Sequence, residues 1–414
     1  MRKLSLTTQM IVASALGLLA GSVFGPFMEN IKFLGEIFLR LMQMSVVFLV
    51  MGAIIEAVGA LEPRDLGKIG GKAIALFTFT STLGAIVGLI AVNIIQPGIG
   101  VEGVAVSEYK GVLFQGGINE LIVNFFPKNI FESMARGDMI QVIIFSAFLG
   151  LAISFLGKNE SGSKIYGMFH QLNVVIIELI KIVMKFAPIG VFALLAGITG
   201  TIGLQVIIPL IKFLITMFIA TVVVLVILIT IVSIYGKINP IRFIKKLNRT
   251  IIVSVTTNSS AIALPVQMED CENRIGISKR VSRLVNPLAM SLNSNGLALS
   301  ISIACVTIAQ FFGIELTLQE QIVVVVVSTL STLGNLLVPG GALVAIAIAL
   351  QMTGLPLEGV AILAGVDWFA GLARTLLNVV GDVLVTFFIA VNEKEFDRSI
   401  FDADDVAIAA PKNV

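Results

Sequence analysis

An all-α membrane protein, with eight transmembrane helices and two re-entrant helical hairpins arranged as inverted repeats, is the fold class this sequence predicts. Three observations predict it. Only 13% of the 414 residues are charged while 57% are hydrophobic, whereas a water-soluble chain carries about 25% charged residues. The mean hydropathy is accordingly high, +1.01. Apolar runs long enough to span a bilayer recur at 8–28, 33–60, 73–95, 139–157, 167–200, 204–235, 284–312 and 357–392. Two further apolar segments, 240–273 and 318–352, are interrupted near their middles by TTNSSAIALP and STLGNLLVPGG. Small polar residues, glycine and proline break a helix there, and such a break suits a non-helical tip buried in protein.

The first run follows a basic start, MRKLSLTTQ, as a signal peptide would. It continues past Ala15 to Phe27, however, and is expected to stay as the first span. Lys and Arg then set the orientation. Arg2 and Lys3 precede the first run, Arg64, Lys68 and Lys72 lie between the second and third, and Lys158 and Lys164 follow the fourth. Lys237, Arg242, Lys245, Lys246 and Arg249 follow the sixth. All fall on one side if both termini are cytoplasmic, with Lys110 and Lys128 as the exceptions. The first broken segment then enters from the inside and the second from the outside. Each is followed by a polar helix, so the C-terminal part is a weak inverted repeat, an arrangement that places binding near the bilayer midplane. The tail EKEFDRSIFDADDVAIAAPKNV is acidic and expected to be mobile.

Polar residues inside the apolar runs carry the chemistry. In the last run, DWFAGLARTLLNVVGD places Asp367, Gly371, Arg374, Asn378 and Asp382 on one helical stripe. An arginine at mid-membrane costs roughly 2.5–3.5 kcal/mol, so something must compensate for Arg374. A planar guanidinium suits a carboxylate held by parallel hydrogen bonds. The compensating anion is expected to be a ligand; a structural ion pair with Asp367 or Asp382 is the alternative. In the seventh run, NPLAMSLNSNGLALS is interrupted at Asn293, Asn295 and Gly296. Carbonyls freed at such a break are hard oxygen donors for a small cation, a site that Asp382 and Asn378 could complete. Ala289 and Ser291, just before the break, are counted among the metal-facing positions. A plain kink lined by amides is the alternative.

Elsewhere the bland readings lead. Thr80 and Ser81 taken alone read as hydroxyls bonded to their own helix. His170, the only histidine, reads as an interfacial or packing residue ahead of a proton relay, and Trp368 as a packing residue. Cys271 and Cys305 form no disulfide or metal pattern and read as apolar filler. A net charge of +2 argues for no nucleic-acid partner. No nucleophile–base set, phosphate loop or metal-ligand cluster is present in the pattern, which argues against an enzyme. A passive anion channel would need a continuous polar path, and the sequence offers one occluded cluster instead.

With these residues placed, the chain resembles the dicarboxylate/amino acid:cation symporter family, the glutamate transporter homologues. LGEIFLRLMQMSVVF, NIFESMARGDMIQVIIFSAFLGLAI, FAPIGVFAL, GLPLEGV and ARTLLNVVGD carry the resemblance over nearly the whole chain. It implies a glutamate-transporter-like elevator fold in a homotrimer, embedded in the plasma (inner) membrane. Each protomer would move a small anionic substrate with Na+ or H+ as the coupling ion and no other cofactor. It divides the chain into scaffold helices 1 and 2 (1–72), transport-domain helix 3 (73–95) and scaffold helices 4 and 5 (96–202). Transport-domain helix 6 (203–236), the inner hairpin (237–279) and broken helix 7 (280–317) follow. The outer hairpin (318–354), acting as a gate, helix 8 (355–392) and a cytoplasmic tail (393–414) complete it.

The resemblance also implies roles. Arg374 matches the arginine that binds the substrate's side-chain carboxylate, with Thr375, Gly371 and Asp367 sharing its stripe. Asn378 matches the asparagine that binds the main carboxylate and helps a sodium site, and Asp382 the acid that ligates sodium. Asn293 opens the segment matching the family's NMDGT, and Thr80 and Ser81 match hydroxyls of a deeper sodium site. Ser259 and Ser260 match the inner-hairpin tip; Val338, Pro339 and Gly340 match the outer one. NMDGT itself reads Asn293, Ser294, Asn295, Gly296, Leu297 here, so a sodium-binding acid is a neutral amide and the cation is held more weakly. The aspartate that binds a substrate ammonium is Gly371, and its arginine partner on the inner hairpin is Asn258. These departures point to a dicarboxylate without an amino group, such as succinate, fumarate or malate, ahead of aspartate or glutamate. A neutral amino-acid or cystine symporter is a further alternative, disfavoured because it would leave Arg374 unpaired.

Overall fold

The structure is a computed structural model and describes residues 6–59, 69–100, 123, 125–156, 160–332 and 341–403. The described residues are helical apart from turns and one isolated antiparallel bridge between Ile277 and Phe396. In chain order the helices are α1 (Leu6–Phe24), α2 (Lys32–Gly59), α3 (Gly71–Ile95), α4 (Ile130–Arg136), α5 (Met139–Leu156), α6 (Glu160–Met184), α7 (Ala187–Ile202) and α8 (Ile207–Gly236). Then come α9 (Pro240–Lys246), α10 (Asn248–Thr257), α11 (Ser260–Asp270), α12 (Lys279–Leu292) and α13 (Asn295–Phe311). The last five are α14 (Leu318–Leu330), α15 (Gly341–Thr353), α16 (Gly359–Ala364), α17 (Asp367–Asn392) and α18 (Arg398–Asp402). Among the described residues, six helical stretches are long and apolar enough to cross a membrane: Thr8–Leu41, Gly71–Ile95, Gly162–Met184, Gly203–Gly236, Lys279–Phe311 and Asp367–Asn392.

Two expected spans are divided. The run 167–200 is two helices, α6 and α7, separated at Lys185–Phe186 because Pro188 sits in the first turn of α7, where its missing N–H costs nothing. The run 357–392 is likewise split at Gly365–Val366 into α16 and α17.

The helices pack in two groups. In one, α1 and α2 pack on α7, and α2 also on α5 and α6. In the other, α3, α8 and α17 surround α13, and α10, α11 and α12 pack beside α17. The groups meet where α15 lies on α2 and α5, and α16 on α7. Burial follows this order: every residue of α13 is buried save Gln310, and most of α17 is buried too. Such a helix, apolar on all sides, belongs in the middle of a bundle.

The interrupted segment 240–273 forms the antiparallel partners α10 and α11. Asn258 turns the chain between them in the left-handed region, φ 48°, which asparagine tolerates better than most residues. Ser259 then caps α11 by accepting from Ile262 N at 3.4 Å. At the far end Asp270, fully buried, accepts from the backbone N–H and hydroxyl of Thr250 at 3.2 and 2.7 Å and pairs with Arg274 at 3.4 Å. That carboxylate ties the two helices together at their base. The outer segment supplies α14, opened by a capping box between Thr317 and Glu320, and α15. Its expected tip residues, Val338, Pro339 and Gly340, lie outside the described residues.

The tail departs from expectation. Residues 393–403 are folded back rather than loose: Ser278 N donates to Glu395 O at 3.0 Å, and buried Lys246 donates to Ala403 O at 3.0 Å. The C-terminal end of α18 thereby gains a cation where its carbonyls are unpaired.

Candidate functional site

The site grows from the break between α12 and α13. Pro287 weakens α12 by removing one N–H from its ladder. Asn293 leaves the helix in an extended conformation, φ −106° and ψ 105°, and α13 restarts at Asn295. The first turn of α13 has N–H groups without helical partners. One of them, Gly296 N, donates to Asn378 Oδ1 of α17 at 2.7 Å. Gly296 is needed there, because a Cβ at that position would collide with the Arg374 carbonyl.

Asn293 links three helices. Its Nδ2 donates to Asp382 Oδ1 at 2.7 Å, and its Oδ1 accepts from Thr80 Oγ1 of α3 at 3.0 Å. Thr80 also reaches Phe77 O at 3.2 Å, the local back-bond expected of a helical hydroxyl. Thr80, Ser81, Asn293, Asn295 and Asp382 are all buried, none more than 4% exposed. Within this cluster Ser81 Oγ, Ser294 Oγ and Asn295 Nδ2 have no hydrogen-bond partner. Unpaired polar atoms so deeply buried are costly, and they mark the cluster as a place where polarity serves something other than packing. Its oxygen donors and single carboxylate fit a small hard cation.

Two of the positions expected to face the cation make local bonds. Ser291, expected beside it, turns its hydroxyl back to Pro287 O at 3.3 Å, the local bond open to any helical serine. The carbonyl of Ala289, also expected there, accepts from Asn293 N at 2.7 Å, which leaves it one lone pair.

Arg374 sits one turn before Asn378 on α17. Its Nη2 pairs with Asp367 Oδ1 at 2.9 Å and its Nη1 donates to Ser300 Oγ of α13 at 3.2 Å. This is the ion pair that the sequence offered as the alternative to a ligand's counter-charge: two helical turns are short enough for the two side chains to meet. The pair is single-pronged and not sealed, its side chains remaining 11% and 19% exposed. Among the described residues, two of the five guanidinium N–H groups find partners.

Next to Arg374, Thr375 Oγ1 donates to Asn258 Oδ1 at 2.8 Å, and Asn258 Nδ2 donates to Trp368 O at 3.3 Å. The tip between α10 and α11 thus rests on the first two turns of α17, directly over Gly371. Ser259 and Ser260 are half-buried at the same tip. Ser300 and the contacts of Asn258 were not assigned from sequence. Ser300 lies a turn and a half past the break, where nothing in the pattern distinguishes it from other small residues of α13.

Two side residues gain definite surroundings. His170 Nδ1 lies 2.7 Å from Glu56 Oε1, which Asn173 also bonds through its other oxygen, and its ring stacks on Tyr166. The histidine therefore has a charge partner on α2, beyond simple packing. Trp368 packs edge-on against Phe369, with centroids 5.1 Å apart. Both cysteines are free and buried.

Comparison with known proteins gives a consistent result. The profile of the sodium:dicarboxylate symporter family matches residues 6–391. The chain is 33% identical to a proton/sodium-glutamate symport protein of Geobacillus stearothermophilus, covering 96% of this chain and 97% of the relative. It is 33% identical to a C4-dicarboxylate transport protein of Bacillus subtilis, covering 95% of each. A proton/glutamate-aspartate symporter of Escherichia coli is 32% identical, covering 96% of this chain and 94% of its own length.

Proposed function

This chain belongs to the sodium:dicarboxylate symporter family, and from that premise we propose that it is a secondary active transporter, not an enzyme, carrying a dicarboxylic acid without an ammonium group in symport with Na+ or H+. Succinate, fumarate and malate are the substrates that fit. The observation that carries this reading is Arg374: a nearly buried guanidinium with two of its five donors engaged among the described residues, beside Gly371, which offers no acid. A carboxylate answers the guanidinium, while an ammonium finds no counter-charge at 371. The relatives' names divide between glutamate or aspartate and C4-dicarboxylates, so an acidic amino acid is the second reading. Uptake of labelled succinate into proteoliposomes, with unlabelled L-aspartate as competitor, separates them. Saturable, gradient-driven accumulation blocked by succinate and fumarate supports the proposal; block by L-aspartate but not succinate refutes it.

Asp367 competes with the substrate for Arg374 in this reading. Asp367→Asn removes the competing charge, and a partly exposed pair of this kind is worth up to about 1 kcal/mol. The half-saturating succinate concentration is expected to fall by about two- to fivefold. A rise in that concentration would mean that Asp367 helps to hold the substrate instead.

Coupling is proposed to run through one cation site, formed by Asp382, Asn293, Thr80 and Ser81. Asn295 leaves the cluster with a single carboxylate, which favours fewer coupled sodium ions than a two-acid cluster would hold, or a proton in their place. Replacing sodium with choline and collapsing the pH gradient, each in turn, identify the ion. Asn295→Asp supplies the second carboxylate, and uptake by this variant is expected to become about tenfold more sensitive to sodium removal. Unchanged sensitivity would remove Asn295 from the coupling site.

The two helix groups support an elevator, in which α3, α8 and α10–α17 move against a scaffold of α1, α2 and α5–α7. The segments 240–273 and 318–352 would be its re-entrant hairpins, the outer one acting as gate. A homotrimer in the inner membrane with cytoplasmic termini completes the proposal. Crosslinking of the reconstituted protein tests the trimer.

A further inference from the structure

Resting on the dicarboxylate reading above, we propose that Asn258 is the specificity-determining residue of the substrate chamber: its amide fills the volume over Gly371, latches the α10–α11 tip to α17, and leaves no charge for a substrate ammonium. Three observations converge on it. Asn258, in the left-handed region, has its side chain between Thr375 and Trp368 O of α17. Both ends of its amide are engaged there, Oδ1 at 2.8 Å and Nδ2 at 3.3 Å. A Cβ added at Gly371 would stand 2.5 Å from Nδ2, 2.9 Å from Oδ1 and 3.1 Å from Cγ of Asn258. A side chain at 371 would therefore displace the Asn258 amide, and with it the bonds to Thr375 and to Trp368 O.

The chemistry of the chamber follows. An amide offers two N–H donors and an oxygen with two lone pairs and carries no charge, so one donor and one lone pair remain once Thr375 and Trp368 O are bonded. It tolerates a hydrogen or a hydroxyl beside it, since a hydroxyl can donate to or accept from it. An ammonium brought to the same place loses its water and gains no anion, which is unfavourable in a poorly hydrated site. Any residue at 371 that could supply the anion must first evict Asn258, and so must release the tip from α17. Selectivity and closure are in this way carried by one side chain.

Four variants test this: Gly371→Ala, Asn258→Ala, the double substitution and Asn258→Asp. Each is read by labelled succinate uptake, by competition with L-aspartate, and by emission of Trp368, the only tryptophan of the chain, whose carbonyl the latch uses. Gly371→Ala is expected to cut succinate uptake about tenfold, by pushing the Asn258 amide off its bonds to Thr375 and Trp368 O, and to shift the tryptophan emission. Adding Asn258→Ala makes room for the new methyl and returns both readouts to those of Asn258→Ala alone. Asn258→Asp keeps the size and adds the missing charge, so L-aspartate becomes about tenfold more potent against succinate. Wild-type behaviour of Gly371→Ala, no rescue by the second substitution, or an unchanged competition ratio in Asn258→Asp overturns the proposal. If Gly371→Ala fails to fold, the double variant must restore a monodisperse protein, and failure to do so is equally contradictory. If the wild type moves neither acid, the substrate reading falls, and the tryptophan emission of the same proteins still decides whether the latch exists.

Discussion

Arg374→Gln is expected to lower succinate uptake by about a hundredfold or more, equivalent to ~2.7 kcal/mol. Charge-assisted, fork-shaped hydrogen bonds to a carboxylate are the strongest polar contacts available in this chamber, and glutamine keeps neither the charge nor the fork. The variant also leaves Asp367 without its cation, so the remaining local charge repels a dianion. Arg374→Lys separates the two contributions. It keeps the positive charge as a single point and loses the parallel donors, and should retain about a tenth of wild-type uptake. Initial rates normalised to reconstituted protein, with size-exclusion profiles to confirm folding, measure both. Uptake by Arg374→Gln within about threefold of wild type would show that the guanidinium serves only its neighbour Asp367.

Asp382→Asn is the second large effect. Asp382 is the sole carboxylate of the buried cluster, bonded to Asn293 and 1% exposed. Asparagine is the same size and still offers an oxygen to Asn293, so the packing of α17 against α12 and α13 is kept while the formal charge is lost. A small cation in low dielectric depends on that charge more than on any neutral oxygen. Succinate uptake should fall by about a hundredfold, and what remains should no longer respond to the coupling ion. Normal uptake with unchanged cation dependence would move the coupling site elsewhere.

Much of this arrangement was readable before any coordinates. The break at Asn293–Ser294 announced itself because asparagine, serine and glycine interrupt an otherwise apolar run, and helix α12 does end there. The stripe from Asp367 to Asp382 was equally plain, since helical spacing alone puts those residues on one face of α17. Three things were not readable. The split of α6 from α7 hides in FAPIG, where Pro188 favours a helix start as easily as a kink within one span. The pairing of Arg374 with Asp367 is one of two geometries that the same spacing permits, and side-chain direction decides between them. The filling of the Gly371 cradle by Asn258 depends on a contact between residues more than a hundred positions apart. Sequence displayed the absence of an acid at 371; only packing reveals what took its place.

The docked stretch 393–403 illustrates a different limit. Its acidic composition reads as a solvated tail, yet Lys246 and Arg242 of α9 bond its carbonyls and hold it in place. Charge content reports what a segment tolerates, and its partners determine whether it folds.

Diacid transport through this site requires Arg374 to exchange Asp367 for a carboxylate that arrives with the cargo. Density maps of the reconstituted protein, with and without saturating succinate, observe that exchange directly. The account predicts added density within hydrogen-bonding distance of the guanidinium, beside Gly371 and Asn258, with the Asp367 contact lengthened or shared. An unaltered Arg374–Asp367 pair, with succinate absent or bound elsewhere, would contradict it.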